Sequence, residues 1–190
     1  MIIGIDPGKE GAIVATYIDD EGQYRISFAD TPTKVNRDGK RDYDINAILQ
    51  HFIGLKKLAG IEKVTIVIEG SQGMAYTPTA TRGSYHDRPK TAFEKGRGFG
   101  ILETAIVAAG LEITYVPRPG NWKRKLGLTD SKLTYQQKKE KARLKAIELF
   151  PQASNSLARK KDSDRAEALL LTVWGELKIS EKPNEKKRKK

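Results

Sequence analysis

The sequence predicts an α/β domain: a mixed five-stranded sheet, three antiparallel strands followed by parallel ones, flanked by helices. Two observations carry this. The first 31 residues hold three β-rich runs separated by turn signals, and the later strands alternate with stretches of helical periodicity. A chain of 190 residues also suits one such domain better than two.

Met1–Asp6 is an apolar run that stops at Asp6-Pro7-Gly8. Gly11–Ile18 is rich in Val, Ile, Thr and Tyr, Asp19 to Gly22 is a turn, and Gln23–Thr31 alternates. Pro32 to Asp42 reads as a polar loop. Ile45, Ile48, Leu49, Phe52 and Leu55 then recur at helical spacing behind Asp44, an N-cap. Lys63–Glu69 is a short β-branched run, the pattern of a buried strand. Residues 70–90 form a Gly-, Ser-, Thr- and Pro-rich loop whose length points to a functional role.

Thr91–Gly110 has helical periodicity despite Gly96, Gly98 and Gly100, which imply close backbone approach or a broken first turn. Leu111–Val116 is a strand stopped by Pro117 and Pro119. Trp122–Leu126, Leu133–Phe150 and Asp164–Leu177 read as helices, with Leu133, Leu144, Ile147 and Phe150 as the buried stripe of the second. The domain is expected to span 1–179. Residues 180–190 are expected to be a basic, disordered tail ending in Lys186-Lys187-Arg188-Lys189-Lys190.

Charge narrows the function. Thirty-five Lys and Arg against 24 Asp and Glu give a formal +11, the balance of a protein with a polyanionic partner. Between Arg118 and Lys161 thirteen basic residues face three acids, a local footprint for a phosphate backbone. Cysteine is absent and only two histidines occur, which excludes disulfide scaffolds, thiolate zinc sites and cysteine nucleophiles. No run of 18 apolar residues exists, so no membrane partner is expected, and a cytoplasmic location is.

Four carboxylates stand at element ends. Asp6 closes the first strand and Glu69 the fourth, so in a parallel pair both reach the carboxyl edge of the sheet. Asp164 and Glu167 are three apart and share a helix face, with Glu167 set among Ala166, Ala168, Leu169 and Leu170. Acids converging on one crevice need a cationic partner. Oxygen donors without Cys or a His pair favour a hard divalent cation such as Mg²⁺ over zinc. Two such ions would clamp a phosphoryl displacement. Taken separately, Asp6, Glu69 and Asp164 are ordinary turn, strand-end and capping residues; together they form a set. Asp162 competes with Asp164 for the third position.

Gly4-Ile5-Asp6-Pro7-Gly8, Val67-Ile68-Glu69 and Asp164-Arg165-Ala166-Glu167-Ala168-Leu169 resemble, in that order, the signature of the RuvC family of Holliday-junction resolvases, its phage-type members above all. Lys95 to Glu103, Trp122 to Leu128 and Ala146 to Pro151 are also similar to that group. The resemblance implies an RNase H-like fold, a homodimer, and paired symmetric nicks in four-way DNA junctions with Mg²⁺ or Mn²⁺, two ions per site. It implies a bacterial or phage-infected cell as the setting. It implies Asp6, Glu69, Asp164 and Glu167 as catalytic metal ligands, although Glu167 stands where many members have Asp. Family lysines near the scissile phosphate fall loosely on Lys123 and Lys132. Arg124, Arg97, Arg82 and Tyr76 are further DNA-contact candidates, with Met74 and Tyr76 as a wedge. The small residues Gly96, Gly98, Gly100, Ala105, Ala108 and Ala109 make the Thr91–Gly110 helix either a dimer surface or a helix that lies flat on its own sheet. Other readings are a nuclease of broader taste for branched or flapped DNA, or for RNA, and a catalytically silent DNA-binding module. An actin-like ATPase shares the first motif but needs two domains.

Overall fold

The computed structural model describes residues 1–70 and 89–185. Arg82, Tyr76, Met74, the rest of residues 71–88 and the five terminal basic residues lie outside the described residues, while Pro89 and Lys90, expected in the loop, begin a helix. The sheet is ordered β3-β2-β1-β6-β7, from Tyr24–Asp30, Ala12–Ile18, Ile2–Asp6, Thr65–Ile68 and Ile113–Tyr115. β1, β2 and β3 are antiparallel, and β6 and β7 run parallel to β1. This is the mixed five-stranded sheet that the sequence predicts, antiparallel on one side and parallel on the other. The stretch expected to be an irregular loop instead forms a two-stranded hairpin, β4 (Thr33–Val35) and β5 (Arg41–Tyr43). It closes on an Asn36-to-Gly39 turn in which Asn36 Oδ1 accepts from the backbone of Asp38 and Lys40, local chemistry that hides a short strand pair.

Helices cover both faces. α1 (Ile45–Ala59) and α2 (Pro89–Ala108) pack Ile48, Phe52, Leu102 and Ile106 against Ile3, Ile5, Ile66 and Ile68. α3 (Pro119–Lys125), α4 (Tyr135–Leu149) and α5 (Ser163–Glu185) cover the other face around Val14, Val67, Trp122 and Leu169. Asp44 caps α1, its carboxylate accepting from Ala47 N at 3.2 Å, as expected. α4 begins two residues later than its periodicity suggests, because Thr134 and Gln137 form a capping box. Its buried stripe differs in part, although Ile147 and Phe150 pack against the core as expected. Ala142 and Ala146 are buried, whereas Leu144 is 53% exposed and Leu133 only half-buried. Two 3₁₀ segments, Pro151–Leu157 and Lys160–Asp162, join α4 to α5. α5 continues to Glu185, so residues 180–185, expected in the tail, are helical. Glu181 holds that extension through ion pairs with Lys178 at 2.6 Å and Lys125 at 2.9 Å.

The three glycines of α2 do not break it. A Cβ on Gly98 would overlap the Tyr43 hydroxyl, so this residue lets β5 approach the helix. Gly96 and Gly100 face open space. Ala105 and Ala109 are buried against the sheet, which removes them from any outward surface; Ala108 is exposed. Arg97 of α2 grips Asp42 with both nitrogens, at 2.6 and 2.9 Å, and lies over the Tyr43 ring.

The closest helix–sheet approach is at α5. A Cβ on Gly4 of β1 would overlap the Ala168 carbonyl oxygen, and one on Gly175 would press Val67 Cγ2 at 2.7 Å. Arg165 fixes the start of the helix to the end of β3 by a two-pronged bond to Asp30, at 2.6 and 2.8 Å.

Two outcomes follow from this packing. Gly4→Ala forces α5 off the sheet and should cost about 2–3 kcal/mol, lowering Tm by roughly 5–10 °C in thermal melts. The Arg97 guanidinium, aided by the Tyr43 N–H, holds the Asp42 carboxyl at about 2, below its unfolded value of about 3.9. Its contribution is therefore full above pH ~4 and lost as pH falls towards 2. Arg97→Ala should flatten that limb of the stability curve in melts between pH 5 and 2.

Candidate metal centre

Strand alternation and helix phase bring the acids together. In β1, Ile3 and Ile5 face α1 and α2, so Gly4 and Asp6 face α5. In β6, Ile66 and Ile68 take the first face and Val67 the second, so Glu69 follows Val67. The parallel register pairs Ile5 with Ile68, and Glu69 N donates to Ile5 O at 2.9 Å, so Asp6 and Glu69 end side by side. α5 runs opposite to β1. Gly175 lies over Ile2 and Val67, Ala168 over Gly4, and Glu167 reaches the carboxyl edge.

Oxygens of Asp6, Glu69 and Glu167 all lie within 4.8 Å of one another. Asp164 belongs to the same neighbourhood by a different route. Lys139 of α4 reaches Asp164 Oδ1 at 2.6 Å, Glu167 Oε2 at 2.9 Å and Asp6 Oδ2 at 4.0 Å. Lys123 of α3 reaches Glu167 Oε1 at 2.9 Å and Glu69 Oε1 at 4.0 Å. Trp122, fully buried, donates its indole N–H to Glu69 Oε1 at 2.8 Å. Asp162 takes no part. Both its oxygens are engaged by Arg159, from Nη2 at 2.7 Å and from the backbone N–H at 2.8 Å.

Burial drives the Asp6 carboxyl well above its usual range. Lys139 opposes that, while Glu167, Glu69 and Asp164 add to it. Glu69 is also raised, first by burial, against the pull of Lys123. Burial pushes Glu167 up too, but Lys139 and then Lys123 outweigh it and hold this carboxylate below its usual value. Burial favours a neutral Lys139, yet Glu167, Asp6 and Asp164 outweigh burial and keep the ammonium protonated above the ordinary lysine range. Four carboxylates and two ammonium groups carry a formal −2, which one divalent cation balances. The donor set is all oxygen. Three carboxylate oxygens at this mutual separation fit a single hard ion with ligands at about 2.0–2.6 Å.

Of the DNA-contact candidates, Lys123 lies among the carboxylates. Arg124 is exposed on α3, and Lys132 is exposed on the turn before α4, where its N–H donates to Asp130 Oδ1. Among the described contacts none joins Lys132 to the acids. Arg97 is engaged with Asp42. Sequence reasoning missed Lys139 and the donor role of Trp122. The signal for Lys139 was its three- and seven-residue spacing from Ala142 and Ala146, which puts it on the face of α4 turned to α5.

The sequence matches no family model and no curated protein. Among solved structures, the chain is similar to Thermus thermophilus RuvC in complex with a Holliday junction substrate. The two share 15% identity over 90% of this chain and 89% of that one, at a TM-score of 0.49. A second Thermus thermophilus RuvC structure gives 14% identity, 90% coverage of both chains and a TM-score of 0.47. No helix among the described residues is long and apolar enough to cross a membrane.

Lys139→Met leaves the buried Glu167 and the partly buried Asp6 and Asp164 without their shared counter-charge. In chelator it should destabilise the protein by about 3–5 kcal/mol. Added Mg²⁺ should raise the Tm of the variant by more than that of the parent; equal shifts would mean that the ammonium does not offset acid repulsion.

Proposed function

We propose that the protein is a metal-dependent endonuclease that resolves four-way DNA junctions by paired symmetric nicks. The observation that carries the reading is the trio Asp6, Glu69 and Glu167, three carboxylates within 4.8 Å of one another and flanked by Lys123 and Lys139. These acids would hold a first Mg²⁺ or Mn²⁺, and Asp164, now paired with Lys139, would be the ligand available to a second. Ions bound there would supply Lewis-acid chemistry for phosphodiester hydrolysis. The chain's own groups do the positioning. Trp122 fixes the orientation of Glu69, and Lys123 and Lys139 supply positive charge where a phosphate approaches.

Preference for a branched substrate is supported by the ordered similarity of the acid motifs to junction resolvases and by the basic segments beside the site. Lys160 and Lys161 border the same depression as Asp164 and Lys139. A silent DNA-binding module has no use for buried, mutually repelling acids. Paired nicks need two centres, and the described residues of one chain supply one such cluster, so the working unit is a two-fold dimer. Its contact is the outer face of α2, where Phe93 and Val107 are 67% and 62% exposed and Gly96 and Gly100 share their helical spacing.

The test is cleavage of a synthetic immobile junction in Mg²⁺ and Mn²⁺, alongside duplex, fork, flap and hybrid substrates, with nicks mapped on denaturing gels. Symmetric nicks in the junction alone are expected; equal cleavage of flaps would select the broader nuclease. Asp6→Asn and Asp164→Asn should abolish cleavage and leave junction binding within a few-fold of the parent. Asp162→Asn should instead lower Tm while cleavage persists at permissive temperature. Light scattering should report a dimer, free or on DNA; a strict monomer would sink the paired-nick mechanism.

A further inference from the structure

Beside the carboxylates lies a cavity of about 400 Å³. Leu128 and Ala142 line it as apolar surface, Lys123 and Lys138 supply charge, and Tyr135 stands at its border. The cavity shares Lys139 and Glu167 with the metal centre, so the two are continuous. Tyr135 is the first residue of α4, set in place by the Thr134 capping box, and is 72% exposed. It belongs to neither apolar core. Its ring lies 6.0 Å from the Lys139 ammonium, and it also borders the clefts over Asp6 and Glu69 on one side and over Lys160 on the other.

We propose that this cavity receives one unstacked nucleobase of the cleaved strand, from a nucleotide flanking the scissile phosphate, with Tyr135 as its stacking platform. The proposal rests on the nuclease reading above. A phosphodiester at Asp6, Glu69 and Glu167 carries its flanking bases one sugar away, and the adjoining cavity is of the size that takes small planar ligands. The lining matches a nucleobase in kind: apolar surface for its faces, an aromatic ring to stack on, and ammonium groups for the neighbouring phosphates. Thr129, Asp130 and Ser131 add polar atoms at the wall, where a base edge is read by hydrogen bonds. Withdrawing a base is least costly where it is already poorly stacked, as at a branch point. The cavity therefore contributes to substrate choice as well as to holding the strand.

Single-turnover cleavage of the immobile junction tests this, with the nucleotide on either side of the nick intact or replaced by an abasic residue. Tyr135→Ala should slow cleavage of the intact junction roughly tenfold. The abasic residue at one side should slow the parent similarly, and the two changes together should be no worse than either alone. Tyr135→Phe keeps the ring and should recover most of the rate, and all variants should keep the parent Tm. Additive losses, or an undiminished rate for Tyr135→Ala, would overturn the pocket and leave the nuclease intact. If the parent nicks no branched DNA at all, the nuclease reading falls and takes the pocket with it.

Discussion

Holding acidic oxygens close together at a buried sheet edge is the constraint on which the rest of this molecule depends. Each carboxylate moved out of water loses solvation, and each like neighbour adds repulsion. The chain meets this with two ammonium groups from separate helices, Lys139 on α4 and Lys123 on α3, and with the Trp122 indole. The compensation is uneven. Glu167, which touches both lysines, stays below its usual pKa, while Asp6, with Lys139 only at 4.0 Å, is pushed above it. Perturbation in opposite directions within one cluster is characteristic of a site arranged for chemistry.

The approach of α5 to the sheet is what permits that cluster. Helices usually pack with side chains between backbone and backbone; here Gly4 on the strand and Gly175 on the helix remove them at two points. The helix comes close enough for Glu167 to reach the same space as Asp6 and Glu69. Alternation along β1 and β6 does the rest, because the residues two before each acid, Gly4 and Val67, already face α5. Docking and site geometry are thus one property.

The basic surplus divides by role rather than forming a single surface. Arg143 is spent inside, bonding Glu140 and the Leu157 carbonyl; Arg159 serves Asp162, and Lys145 pairs with Glu148. Lys123 and Lys139 balance the acids. Arg118, Lys138, Lys160 and Lys161 form no salt bridge among the described residues, although Lys160 attracts Glu140 at longer range.

Sequence by itself determined the strand order of types, the α/β class, the element ends that carry Asp6, Glu69, Asp164 and Glu167, and the absence of soft metal donors. Those features are local: period-two and period-3.6 patterns, turn residues and composition. The β4–β5 hairpin was not legible because Asn36 turn chemistry resembles that of a loop, nor was the continuation of α5, whose polar residues are held by ion pairs to distant partners. Which acids converge was a tertiary matter. Sequence favours Asp164 over Asp162 only through its three-residue spacing from Glu167; in the fold Arg159 engages Asp162, whereas Lys139 joins Asp164 to Glu167. Lys139 itself is one of many basic residues on α4 until Ala142 and Ala146 turn its face to α5. Contacts between side chains far apart in the chain depend on helix rotation and docking distance, and those are settled only when the two cores pack.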